Sequence, residues 1–192
     1  MLEPTPCPDS DDALMRRSVA APMGDTGAFA CLVRRYQARV IGYAARMLGG
    51  DLNAGADIAQ EAFVNVWQNR ARYNGQGKFA SYLLHIAHRS CLDKLRERDG
   101  KHGELTETNH PATNANGVEL AVCVRESVKS LTPDIRAVFL LHEYEGFTYS
   151  EIADALGVPM GTVASRKHAA VQALRDSLAP WLGYNETKGT SK

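Results

Sequence analysis

The stretch Gly146-Phe147-Thr148-Tyr149-Ser150-Glu151-Ile152-Ala153-Asp154-Ala155-Leu156-Gly157-Val158-Pro159-Met160-Gly161-Thr162-Val163-Ala164-Ser165-Arg166 decides the fold. Thr148 and Glu151 stand three apart, the spacing at which a threonine and a glutamate cap each other's backbone at a helix start. The helix they open is short, with Ile152, Ala153 and Leu156 on its apolar side. Gly157-Val158-Pro159 supplies a turn. A longer helix follows from near Gly161, with Val163, Ala170, Leu174 and Leu178 expected inward. Two such helices across a short, glycine-containing turn form a helix-turn-helix. The second helix of that motif enters the DNA major groove, its N-terminal residues meeting base edges. Thr162, Ser165, Arg166 and His168 are the candidates for contact. Arg166 has the planar fork that matches guanine, and Thr162 or Ser165 can bond a phosphate or a base. A helical hairpin in a core would leave the small and polar residues after the turn unexplained.

Outward from this motif the chain stays helical. Thr132-Pro133 is a helix start, with Thr as N-cap and Pro at the first position. Ile135, Val138, Phe139 and Leu141 follow, and Leu120, Val124, Val128 and Leu131 make a stripe before it. Residues 99–118 have almost no large apolar side chains and predict a flexible linker. Upstream, Phe29, Leu32, Val33, Tyr36, Val40, Ala44, Met47 and Leu48 recur at helical spacing, and Gly49-Gly50 stops that helix. A second helix from near Ala54 sets Ala56, Ala59, Phe63, Val66 and Trp67 inward. Its polar face carries Asp57, Gln60, Glu61 and Asn65. A glycine-rich loop, Arg72 to Lys78, precedes a third helix over about Phe79 to Arg98, with Phe79, Leu83, Ile86, Ala87 and Leu95 inward. No period-two strand appears. The expectation is an all-α chain of two small helical domains, 23–98 and 119–180, joined by the linker. A flexible segment at 1–22, holding a short helix from Asp11 to Ala21, and a tail at 181–192 flank them.

Composition narrows the function. The chain has 192 residues, 44% hydrophobic and 23% charged, enough to bury a core. No run approaches the eighteen apolar residues of a membrane span, and the acidic N-terminus lacks a secretory leader's pattern, so a cytoplasmic, not membrane-embedded protein is expected. The net charge is zero but unevenly spread. Residues 31–100 hold 11 Lys and Arg against 6 Asp and Glu, whereas residues 131–178 hold 4 against 6. A basic middle segment suits a phosphate-binding surface. Cys7, Cys31, Cys91 and Cys123 are far apart, and without a C-x-x-C pair they read as reduced thiols, mostly small core residues with no redox pairing. His85, His88 and Cys91 step by three, but zinc wants four ligands, so no metal and no cofactor are expected. No phosphate-binding G-x-x-x-x-G-K, nucleophile-elbow or zinc-protease motif occurs, which argues against an enzyme.

These motifs, taken together, resemble the bacterial extracytoplasmic-function (ECF) sigma factors of the RNA polymerase sigma family. The C-terminal likeness lies in Leu131-Thr132-Pro133, Phe139-Leu140-Leu141, Glu145 to Ala153 and Gly161 to Arg166. The N-terminal likeness lies in Gly24-Asp25, Ala28-Phe29, Asp57 to Phe63, Trp67, Phe79, Leu83, Ile86-Ala87 and Asp93 to Arg96. The resemblance covers about residues 13–179, with both signatures in the family's order. It implies a non-catalytic subunit that binds core RNA polymerase and promoter DNA and is held in check by an anti-sigma protein.

The resemblance also assigns roles. Asp57, Gln60, Glu61 and Asn65 would dock on core polymerase. Arg72, Tyr73, Asn74 and Lys78, with Tyr82, His85, His88 and Arg89 on the outer face of the third helix, would open the −10 element. Thr162, Ser165, Arg166 and His168 would read the −35 element. A flipped base needs planar partners and a cationic path for its backbone, and the loop with its aromatics has that chemistry. The chain departs from the family's usual residues at Tyr82, Arg89, Ala164, Lys167, Ala169 and Val171. Fewer cations on the recognition helix imply fewer phosphate contacts and a shallower salt dependence. A stand-alone helix-turn-helix regulator is the alternative, and its N-terminal half would then be a ligand or dimer domain.

Overall fold

A computed structural model describes residues 7–20, 25–74, 78–100 and 115–180. The predicted tail at 181–192, the first six residues of the predicted N-terminal segment and Gly75-Gln76-Gly77 of the loop lie outside the described residues. Among the described residues every regular element is helical: α1 (Asp11–Ala20), α2 (Thr26–Met47), α3 (Leu52–Gln68), a 3₁₀ turn at Arg70–Arg72, α4 (Phe79–Gly100), α5 (Ala115–Ser130), α6 (Pro133–Glu143), α7 (Tyr149–Leu156) and α8 (Met160–Leu178). Helices α4 and α5 run into both ends of the predicted 99–118 linker, because helical hydrogen bonding carries past its last large apolar residue. Residues 101–114 lie outside the described residues.

In the N-terminal body, α1–α4, carboxylates start the two central helices. Asp25 accepts from the Ala28 amide at 3.0 Å, and Asp51 from the Ala54 amide at 2.9 Å. Those bonds hold both carboxyls below their ordinary range. Gly49 and Gly50 take φ of +79° and +98°, the left-handed backbone that reverses the chain between α2 and α3. The two helices then touch at Gly55, where a Cβ would lie 2.8 Å from the Ile41 carbonyl oxygen. The inward face of α3 is consequently Gly55, Ile58, Ala59, Ala62, Phe63 and Val66, while Ala56, expected inside, is exposed. Tyr43 and Phe79 are fully buried at the centre.

The C-terminal body, α5–α8, is built from shorter helices. The capping box is present, with the Glu151 carboxylate accepting from the Thr148 amide at 2.8 Å and the Thr148 hydroxyl accepting from the Glu151 amide at 3.3 Å. Gly157 closes α7 at φ +66°. Val138, Leu140, Leu141, Ile152, Val163 and Ala170 form the core.

The cysteine expectation is corrected. Cys7 and Cys31 are disulfide-bonded, and Cys91 and Cys123 are free. A spacing of 24 residues carries no pairing signal. The segment before α1 folding back along α2 makes the pair.

Candidate functional site

The two bodies pack against each other, α7 on α4 and α6 on α2. This seam decides where the expected site residues stand. On α8, Gly161, Ala164, Ser165, His168 and Gln172 face solvent at helical spacing. The Ser165 hydroxyl turns back to the Thr162 carbonyl at 3.0 Å, and Thr162 is half-buried. Arg166 is not on the solvent stripe. It donates to Asp134 of α6 at 2.5 Å. Lys167 pairs with Glu143 at 2.8 Å and lies over the Phe139 ring. Arg166 and Lys167 are therefore engaged within the C-terminal body, while His168 and Ser165 are open.

The loop before α4 carries an aromatic cluster. The Tyr73 ring lies 5.9 Å from Phe79 and 5.5 Å from Tyr82, and Tyr36 lies 5.4 Å from Phe79. The Tyr73 hydroxyl donates to Asp12 at 2.7 Å, and burial followed by this carboxylate raises its pKa. Burial and Asp11 likewise push Tyr36 up to about 12. Arg72 and Asn74 are exposed, as is Arg89 on α4, and Tyr82 is half-buried.

The outer face of α4, expected to meet DNA, is largely the seam. Lys78 pairs with Asp154 at 2.5 Å, and a ring nitrogen of His85 bonds the Ala155 carbonyl at 2.7 Å, both partners on α7. His88 is buried, its Nδ1 2.9 Å from the Tyr43 hydroxyl, and the charges of Asp134 and Arg166 act on it from the other body. Burial lowers its pKa to about 4, so the imidazole is neutral. As folded here, His88 does not reach DNA. The face is amphipathic in sequence, but a second module covers it.

On α3, by contrast, Asp57, Gln60, Glu61 and Asn65 are all exposed on one face. A cavity of about 390 Å³ opens beside Gln60 between α2 and α3, lined by apolar Phe29, Val33, Ile41, Phe63 and Val64.

Three arginines that sequence reasoning did not single out as site residues organise the seam. Arg39 donates to the Glu145 carboxylate at 2.6 Å and to its carbonyl at 2.5 Å, and stands 4.8 Å over the Phe147 ring. Arg46 stacks on Tyr144 at 4.4 Å. Arg136 is buried and donates to the carbonyls of Val128, Lys129 and Leu131 at the end of α5, and to the Met47 carbonyl at 2.6 Å, the end of α2. Helix ends leave their last carbonyls without intrahelical partners and carry partial negative charge, so one guanidinium serves two helix ends from two bodies. The only signal for Arg39 and Arg46 in sequence is a run of cations on α2 without a matching acidic face, and Arg136 on α6 has none.

Comparison with known proteins bears on both bodies. Residues 32–100 match the family described as Sigma-70 region 2, and residues 121–174 match Sigma-70, region 4. An ECF RNA polymerase sigma factor, SigK of Mycolicibacterium vanbaalenii, is 30% identical over 177 residues, covering 87% of this chain and 88% of that protein. The RNA polymerase sigma-H factor of Pseudomonas aeruginosa is 28% identical over 190 residues, covering 91% and 96%. Among solved structures, CnrH in complex with the cytosolic domain of CnrY matches with a TM-score of 0.70 at 25% identity, covering 90% of this chain and 99% of that one. No helix among the described residues is long and apolar enough to cross a membrane.

Proposed function

We propose that this chain, which belongs to the extracytoplasmic-function sigma factors of the sigma-70 family, selects and opens promoters for RNA polymerase through three separate surfaces. The exposed face of Asp57, Gln60, Glu61 and Asn65 docks on core polymerase. The loop of Arg72, Tyr73, Asn74 and Lys78, with Tyr82, His85 and Arg89, takes the unwound −10 strand. Thr162, Ser165, Arg166 and His168 at the start of α8 meet the −35 duplex. The observation that carries this reading is the co-occurrence, in order along one chain, of the exposed acidic–amide face on α3 and a helix-turn-helix whose first helix has a complete capping box and a left-handed glycine at its end. The chain makes and breaks no bond itself. It contributes binding energy to an enzyme that does, in the cytoplasm where that enzyme works.

The seam adds a condition. Lys78 and His85 are taken up by α7, and Arg166 by α6. A promoter phosphate competes with Asp154 for Lys78, so binding of the −10 strand requires the two bodies to separate, whereas Arg166 is freed by breaking its pair with Asp134 inside the C-terminal body. Core polymerase, by occupying α3 and holding the bodies apart, would supply that separation. An inhibitor would act in the opposite sense by favouring the closed form. CnrH has been solved with the cytosolic domain of CnrY, and an RpoE from Bartonella quintana with the anti-sigma factor NepR. We assign this chain a partner of the same kind. A stand-alone regulator is not favoured, because the N-terminal half matches sigma region 2.

Run-off transcription with purified core polymerase tests the reading. Replacing Gln60 with Ala and Glu61 with Lys together should weaken association with core polymerase by about tenfold or more, for a loss on the order of 1.4 kcal/mol. Unchanged affinity in the double variant would remove α3 as the docking face. Absence of any promoter-directed transcript from the wild-type chain would remove the reading altogether.

A further inference from the structure

The cysteine pair at the N-terminal edge is used by none of the surfaces above. Cys7 and Cys31 are bonded with Cα atoms 6.1 Å apart, within the ordinary range for a disulfide, and both are half-buried. One guanidinium nitrogen of Arg34 lies 3.1 Å from Cys31 Sγ and 3.4 Å from Cys7 Sγ. Arg35 binds the carbonyls of Cys7 at 2.9 Å and Asp9 at 3.0 Å, which holds the segment before α1 along α2. A cation against both sulfurs favours the thiolate, the form that reacts. Cys91 is the opposite case: it is buried, and burial pushes its thiol up to about 12.

The segment that this bond secures leads to the melting loop. Asp12 of α1 accepts from the Tyr73 hydroxyl at 2.7 Å, and the Ser18 carbonyl accepts from Arg70 in the turn before Tyr73 at 3.0 Å. Leu14 and Met15 are buried beneath. Helix α1 thus holds the base of the Tyr73 loop, and the cysteines hold the segment that leads into α1.

We propose that Cys7 and Cys31 form a reversible redox site whose closure fastens α1 and the attached Tyr73 loop to α2. This rests on the sigma-factor reading in one respect. A protein working beside RNA polymerase sits in a reducing interior, where a disulfide is a conditional bond and not a permanent staple. The oxidant is hydrogen peroxide. The Cys31 thiolate attacks a peroxide oxygen, the O–O bond breaks, and one water leaves after protonation, giving a sulfenic acid. The Cys7 thiolate then attacks Cys31 Sγ, the S–O bond breaks, and a second water leaves. Two electrons pass from the thiols to the peroxide, and a dithiol reductant returns them.

The test takes the reduced full chain with hydrogen peroxide at neutral pH, followed by peptide mapping and by hydrogen exchange across α1. The expected product is a linked Cys7–Cys31 peptide, lighter by two hydrogens and cleaved by dithiothreitol. Exchange within α1 should slow by about tenfold on oxidation, since closing the loop removes open states. Arg34→Ala should slow bond formation by about threefold or more at neutral pH, with the effect shrinking as pH rises and thiolate forms unaided. Cys7→Ser should form no link and show no response of α1 to peroxide. The proposal is overturned if Cys7 and Cys31 stay open to alkylation after peroxide, if Cys123 or Cys91 is linked in their place, or if α1 exchanges equally in both states. Run-off transcription on the same samples separates the two readings. A bond that forms and slows α1, in a chain that supports no transcript in either state, supports the redox site and overturns the sigma-factor reading.

Discussion

The two bodies of this protein are held together in different ways. The N-terminal body uses long helices and large side chains: α2 and α4 each run 22 residues, and Tyr43, Phe79, Leu32, Met47 and Leu83 are fully buried between the helices. The C-terminal body has helices as short as the 8 residues of α7, and its core is mostly small and medium aliphatic groups. Every helix end leaves carbonyls and amides without partners, so a body of short helices has more of them per residue. The C-terminal body meets that cost with side chains: the Thr148–Glu151 box at one end and the buried Arg136 at another. Both modules capture backbone groups with side chains, as Asp25 and Asp51 do in the larger one, but large buried apolar groups dominate the first and polar capture carries more of the second. The same polar habit makes the smaller module able to close on the larger, because Arg136 also reaches the Met47 carbonyl.

The sharpest way to break this contrast is in the larger body. Phe79→Ala should cost about 4 kcal/mol through lost burial and an unfilled cavity, measured by urea denaturation. A loss under about 1 kcal/mol would mean that its core is not set by large side chains. Arg136→Ala should cost about 3 kcal/mol by stranding several buried carbonyls at once. Hydrogen exchange should rise in α5 and α6 first, and an effect confined to the N-terminal body would contradict the assignment of Arg136 to the smaller module.

His88 sharpens the comparison at the seam. Burial depresses its pKa to about 4, so the native imidazole stays neutral while the unfolded chain takes up a proton below its ordinary value of 6.5. The unfolded state then binds more protons in the window between, and stability falls as pH drops from about 6.5 to about 4, by about 3 kcal/mol from this group. Because carboxylates titrate in part of that window, the measurement is the difference between wild type and His88→Gln. A common slope would show that His88 is not held neutral. The smallest expected effect belongs to the capping box. Thr148→Ala should cost about 1 kcal/mol, read as a lower thermal midpoint. Glu151 is held below its ordinary range chiefly by the Thr148 amide, so its contribution is present above its unfolded pKa and fades as pH falls through its lowered folded value.

Local chemistry explains why much of this was legible beforehand. Thr148 with Glu151, Pro133 in the first turn of α6 and the Gly49-Gly50 stop act within a few residues, so their meaning lies in adjacent sequence, although the Thr132 side chain makes no capping bond. The exposed stripe on α3 was visible for the same reason, since helical period alone places Asp57, Gln60, Glu61 and Asn65 together. The seam was not visible. Arg39 and Arg46 sit on the polar flank of an amphipathic helix, and such a flank looks alike whether it faces water or another module's carboxylate and aromatic ring. For the same reason His88, expected on the outer face of α4, is buried, and Arg166, expected to face bases, is turned to Asp134.

By itself the sequence determined an all-helical chain in two parts, the helix-turn-helix, and membership of a family that lends promoter selectivity to a polymerase. Those follow from periodicity, caps and motifs, which are short-range. Tertiary structure alone decided that Cys7 meets Cys31, that one arginine closes two helix ends, and that Lys78 and Arg166 are occupied by the chain's own acids. Each of these joins residues far apart in sequence, and only packing of the helices brings such groups within bonding distance.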